Sequence, residues 1–236
     1  KYKVVNNAVV DSLGAAAVDP NTGFFTDSAR SYWSPVVDGA DVTMGGAASR
    51  LPDAANRTVY PYTGTSFPSG LTPLTYSSVT TSDLNLGGPT DPALSDLVDW
   101  AMGLDVQDEV PPAGTTDSRH EMGDPIHTQP IAMIYGKKID GMDDTVIYVP
   151  TNDGYFHALD ASVNPDGTDT ATSGQELWAF IPKEMLPHLK DLYDNNAQTT
   201  KHYGLDGQIA VLKYDVNGDG TISGNDRVIL FFGTGR

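Results

Sequence analysis

One short stretch of the chain carries residue types at a spacing that does chemistry. Asp215, Asn217, Asp219, Ser223 and Asp226 place side-chain oxygens at positions 1, 3, 5, 9 and 12 of a twelve-residue run, with Gly220 at position 6 and Ile222 at position 8. Calcium takes six to eight hard oxygen ligands, and this spacing folds a loop around one ion. Gly220 permits the sharp turn, Thr221 supplies its carbonyl at position 7, and Ile222 anchors the loop in apolar surroundings. The expected metal ligands are therefore Asp215, Asn217, Asp219, Thr221, Ser223 and Asp226, and the expected cofactor is Ca2+. Asp226 stands where Glu is usual, and its shorter reach makes bidentate capture harder and affinity modest. The flanks read as strands, so the loop is EF-hand-like without the helices. The competing use of such residues is a polar turn between two strands; agreement at six positions of the pattern favours the ion.

Nothing else reaches that level. His120, His127, His157, His188 and His202 form no close pair with metal spacing, and zinc needs several converging ligands. Cysteine is absent, which removes disulfides, thiolate metal sites and thiol nucleophiles. There is no Gly-x-Ser-x-Gly elbow, no Gly-x-Gly-x-x-Gly and no phosphate-loop lysine, so no catalytic residue is named and no enzyme is expected. His127 and His157 read as hydrogen-bonded turn or core residues, and Trp33, Trp100 and Trp178 as core anchors. The acidic cluster of Asp105, Asp108 and Glu109 reads as a solvated loop rather than a second cation site. Asn56-Arg57-Thr58 matches a glycosylation triplet, a pattern common by chance.

Around the loop, the chain must supply strands. Its 236 residues suit one large all-β domain or two small ones. With 14 Lys+Arg against 31 Asp+Glu the net charge is −17, which repels nucleic acid and anionic membranes at long range. No apolar run approaches the roughly 18 residues of a membrane span. The 24 Gly and 16 Pro mark frequent turns. A chain that opens on Lys1 reads as a processed product or a piece of a longer one.

Residues 1–118 read as an irregular part rich in Gly, Ser, Thr and Pro, with a brief strand over Thr58–Tyr62, a turn cluster at Ser66–Gly70 and one helix near 92–102. Thr90 or Asp91 is the expected cap of that helix, Pro92 its first turn and Gly103 its stop, with Leu94, Leu97, Val98 and Ala101 on one face. After Arg119 come strands at Ile131–Tyr135, Thr145–Val149, Tyr155–Leu159 and Glu176–Ile181, with Asn152-Asp153-Gly154 as a hairpin signal. Four strands on short turns, ending in Leu177-Trp178, are similar to one blade of a β-propeller. A second helix is expected over Lys183–Tyr193, then strands at Gln208–Tyr214 and Arg227–Phe232 on either side of the loop at 215–226.

Several stretches together resemble the PilY/PilC family of type IV pilus tip-associated adhesins. They are Tyr32-Trp33-Ser34-Pro35, Asp38-Gly39 with Asp41-Val42, Gly45-Gly46-Ala47-Ala48, Arg57–Tyr60, Asp99-Trp100 to Asp105 and Arg119-His120 to His127. The densest runs from Tyr148 through Asn152-Asp153-Gly154 and His157-Ala158 to Asp160-Ala161, continuing in Gly174 to Pro182, His202 to Gly207 and Gly233 to Arg236. The resemblance implies a fold that is mainly β: part of a quinoprotein-like modified β-propeller with helical insertions, 119–236 forming its first blades and 1–118 packing on them. It implies a calcium-binding factor for pilus assembly, extension and retraction, and a tip adhesin for surface attachment. The partners it implies are minor pilins of the tip complex and a host or abiotic surface, and the location is extracellular, at the pilus tip or outer membrane. Two other readings stand beside it. A quinoprotein-type dehydrogenase is similar in Leu159-Asp160-Ala161, Gly174 and Leu177-Trp178, a motif present once here and repeated around the ring in those enzymes. A purely structural surface-assembly module would use calcium only as a staple.

Overall fold

Short turns after the strands at Ile131–Lys137 and Asp143–Pro150 leave room only for antiparallel neighbours, while the longer 161–175 segment returns the chain antiparallel again. The computed structural model describes residues 2–34, 36–39, 45–64, 71–110, 114, 117–138, 140–196 and 203–234. The turn cluster Ser66–Gly70, Pro35, Asp41-Val42, His202 and Gly235-Arg236 lie outside these. Strands β4 (Ile131–Lys137), β5 (Asp143–Pro150), β6 (Phe156–Asp160) and β7 (Glu176–Ile181) form an antiparallel meander. On its far side β7 pairs in parallel with β3 (Val59–Pro61), giving the order β3-β7-β6-β5-β4. Two hairpins stand apart from this sheet: β1 (Lys3–Val5) with β2 (Ala8–Val10), and β8 (Ala210–Tyr214) with β9 (Arg227–Phe231). The fold is mainly β with two small helices, and among the described residues the sheet is open and closes into neither barrel nor propeller.

Burial explains why β6 sits centrally: all five of its residues are buried. Phe156 and Ala158 face the main core, with Val59, Leu97, Ala179, Ile181 and Leu189. Leu159 faces the opposite way, packing with Val149 and Trp33. Trp33 lies against Gly174, where an added Cβ would come within 2.7 Å of its ring. The irregular first part therefore covers one face of the sheet with Trp33 and also contributes β3 to the sheet itself. The sequence boundary at 118 is crossed by one continuous core, since Leu74, Val79 and Leu84 belong to it too.

Helix α1 (Leu94–Met102) buries Leu97, Val98, Trp100 and Ala101. Gly103 ends it at φ 99°, with the Leu104 N–H on the Asp99 carbonyl at 2.9 Å. Its start differs from expectation. Ala93 is the cap and makes no side-chain hydrogen bond; Asp91 turns backward instead, accepting the Gly87 and Gly88 N–H groups and pairing with Lys190 at 3.2 Å. Two amides and an ammonium outbid the helix for that carboxylate. The expected second helix divides into a 3-10 turn (Lys183–Met185) and α2 (His188–Asp194). Pro187 has no N–H for the i→i−4 ladder, and the break falls there.

Candidate functional site

All six expected ligand positions lie on the single connection between β8 and β9. Asp215 folds it, accepting the Gly218 N–H at 2.7 Å on one carboxylate oxygen and the Gly220 N–H at 2.8 Å on the other. Gly218 and Gly220 take φ of 72° and 83°, conformations L side chains resist. Asp226 closes the loop on itself, accepting the Val216 and Ser223 N–H groups at 2.8 Å each. Those two amides hold the Asp226 carboxyl below the usual carboxylate range. Asn217 accepts from the Asp219 N–H at 3.1 Å and donates its amide to Asp219 Oδ2 at 2.9 Å. The last position of the loop is thus tied to its second, and the side-chain groups at the expected ligand positions offer oxygens, a set that suits a hard cation. Among the described residues no three His, Asp or Glu side chains share one centre: the carboxylates of Asp215, Asp219 and Asp226 accept the loop's own N–H groups, so the structure puts the six expected ligands on one loop without converging the three carboxylates.

Ile222 does what its position predicts. It packs against the main core, and its N–H donates to the Tyr135 carbonyl at 2.6 Å. Beside it Thr221 lies over Gly136, where an added Cβ would meet Thr221 Cγ2 at 2.7 Å. Gly136 takes φ 143° next to a register shift in the β4–β5 pairing. The loop is therefore docked on edge strand β4, level with the start of β5 (Gly136 pairs with Asp144).

A second polar constellation lies toward the other end of β5, where His157 pairs with Val149, and motif spacing did not find it. Glu176 is buried and accepts Arg57 Nε at 2.7 Å and Nη2 at 3.1 Å. Its Oε1 also meets His157 Nδ1 at 2.6 Å, and His157 Nε2 meets Thr151 Oγ1 at 3.0 Å. Burial opposes the Glu176 charge, yet the Arg57 guanidinium and the His157 ring hold its carboxyl down to about 2. Tyr155 donates its hydroxyl to the Ala101 carbonyl at 2.9 Å, and burial pushes that phenol up. Thr151, His157 and Glu176 have the order of a nucleophile, base and orienting acid. Thr151 is wholly buried and does not border the adjacent cavity, so the array orders the β5–β6 turn rather than presenting a nucleophile. The signal for it was present in the sequence only as isolated polar residues inside apolar strands, at His157 and Glu176.

No family model, curated protein or solved structure matches this chain. The geometry therefore stands by itself.

Several stretches quoted for the family resemblance meet at the β5–β6 turn. The Asp153 carboxylate accepts the Gly123 N–H at 2.9 Å, the Asn152 N–H donates to the Asp124 carbonyl at 2.9 Å, and the Gly204 N–H donates to Asn152 Oδ1 at 3.0 Å. His127 pairs with Asp206 at 2.9 Å on the surface, a turn residue as expected, and His157 is a bonded core residue as expected. Trp33 and Trp100 are buried, while Trp178 is half-buried. One expectation is corrected: Asp105 is buried, not solvated. Burial opposes its charge, but the Glu109 and Val110 N–H groups, both at 2.8 Å, hold its carboxyl below the usual range. It organises the turn, while Asp108 accepts the Gly114 N–H and Glu109 reaches Arg119.

Proposed function

We propose that the chain is part of a calcium-binding, non-enzymatic type IV pilus tip adhesin and assembly factor of the PilY/PilC kind. In this reading the β4–β7 meander is one blade of a quinoprotein-like propeller, and β8–β9 opens the next. The protein works outside the cell with minor pilins and a host or abiotic surface. The observation that carries the calcium part is the loop closed by Asp215 and Asp226 and seated by Ile222 on β4. When bound, the ion would neutralise carboxylates that otherwise repel one another. The residues' own part is to fold the loop through Gly218 and Gly220; binding would turn Asp215, Asn217, Asp219, Ser223 and Asp226 from the loop's own amides toward the ion, beside the Thr221 carbonyl. The adhesin part is supported by the stretches of the resemblance that meet at the β5–β6 turn.

Calorimetric titration of the chain with calcium, beside Asp219→Ala, tests the reading. One equivalent bound by the parent and none by the variant is the expected result. Absence of heat together with unchanged thermal stability would reduce the loop to a polar turn.

A further inference from the structure

The C-terminal ends of α1 and α2, the segment at 119–123 and the β5–β6 turn enclose a cavity of about 310 Å3. That is the lower end of small-molecule pocket sizes, roughly 300–1,000 Å3. Two arginines stand in its wall, and they differ in one respect. Arg57 is locked to Glu176, a counter-ion with no exposure. Arg119 is equally fixed: its side chain is 8% exposed, its guanidinium lies 4.1 Å over the Trp100 ring, and Nη2 donates to the Trp100 carbonyl at 3.2 Å. Its carboxylate partners, however, are half in solvent. Glu121 at 3.1 Å is 56% exposed and Glu109 at 3.8 Å is 50% exposed. Exposed carboxylates on long side chains are held weakly and can swing aside, whereas the guanidinium cannot leave. The site is a fixed cation with exchangeable counter-ions.

Charge balance then selects what can enter. A simple anion on Arg119 would stand beside two displaced glutamates and Asp153, in a chain of net charge −17. A simple cation on the glutamates would leave a nine-tenths-buried guanidinium without its counter-ions. A zwitterion inserts between the two halves of the pair and leaves every charge matched. Sugars gain little here, because the Trp100 face is covered by Arg119 and Tyr155 is stacked on His157 with Arg57 over its ring. The remaining wall includes Ala101, Met122 and Leu192, which suits an apolar side chain. We propose that this cavity binds a zwitterionic α-amino acid with an apolar side chain, its carboxylate on Arg119 and its ammonium on Glu121 and Glu109. The inference does not depend on the calcium loop, which docks at the far end of β5.

The test is thermal shift and calorimetry of the whole chain with L-leucine, N-acetyl-L-leucine and L-leucine methyl ester. Leucine is expected to raise Tm and bind at one equivalent. Each blocked analogue, lacking either the ammonium or the carboxylate, is expected to bind at least about tenfold more weakly. Arg119→Gln is expected to abolish binding and Arg119→Lys to weaken it, because a point charge cannot reproduce the planar fork. Glu121→Gln, a change at a half-exposed side chain, is expected to weaken leucine and the methyl ester, which both carry the ammonium, and not to weaken N-acetyl-leucine, which lacks it. No shift and no heat with leucine up to about 10 mM would overturn the proposal. Equal binding of the blocked analogues, or unchanged leucine affinity in Glu121→Gln, would overturn it as well.

Discussion

Among single residues, the Arg57–Glu176 pair is the most consequential. Both side chains are buried, and Glu176 serves Arg57 and His157 together. Removing one partner of a buried pair leaves the other charge without compensation, which costs about 3–5 kcal/mol. Arg57→Met is therefore expected to lower stability by that amount in denaturant unfolding. The same carboxylate sets an acid response. Its folded pKa, about 2, lies below the ordinary 4.5, so its stabilisation is present above the unfolded value and is lost as pH falls from about 4.5 towards 2. That loss is on the order of 3 kcal/mol, and in Glu176→Gln the stability curve over this window should flatten. An equally steep acid limb in the variant would assign the effect to other carboxylates. Residue chemistry alone could not single out Arg57. In the sequence it sits inside an apparent glycosylation triplet, and only β7 pairing beside β3 brings Glu176 to it.

At the level of elements, the docking of the β8–β9 loop on β4 turns on Gly136. A methyl group there would meet Thr221 at 2.7 Å, and φ 143° is unfavourable for any L side chain. Gly136→Ala is expected to destabilise the protein by about 1–3 kcal/mol. Hydrogen exchange should quicken first at the Ile222 amide and along β8–β9, ahead of β6. If exchange rose uniformly instead, the loop would not be the element that Gly136 holds. Most strands were legible: β3 to β9 fall within one or two residues of their expected spans, because short alternating runs between Gly, Asn and Asp turns leave few other options, whereas the β1–β2 hairpin in the irregular first part was not expected. The start of α1 was not legible. Asp91 was claimed by Lys190 and two glycine amides from outside the helix, and the expected helix over Lys183–Tyr193 ran through Pro187, where the structure breaks it.

For the molecule as a whole, charge and core pull in opposite directions. A net charge of −17 repels itself, while one apolar cluster joins β3, α1, the sheet, α2 and the β8–β9 hairpin. In calcium-free buffer, Tm is expected to rise as sodium chloride screens that repulsion. Added calcium should then give a further, saturable rise equivalent to about 2.7 kcal/mol at a hundred times its Kd. Asp219→Ala should keep the salt response and lose the calcium increment. A variant that retained both would show that calcium acts by general screening.

Local spacing was enough for the strands from β3 onward, the hairpin turn at Asn152-Asp153-Gly154 and the stop at Gly103. It also determined the loop from Asp215 to Asp226, with Ile222 as its apolar anchor. These rest on interactions between residues within a dozen positions of one another, so spacing alone encodes them. Only the tertiary structure decided which residues meet across the chain. It placed Arg57 on Glu176, Trp33 over Gly174 and Thr221 on Gly136. Such partners stand tens of residues apart, and each is selected by burial: a charge or ring taken from water must find its complement wherever the packed strands deliver one.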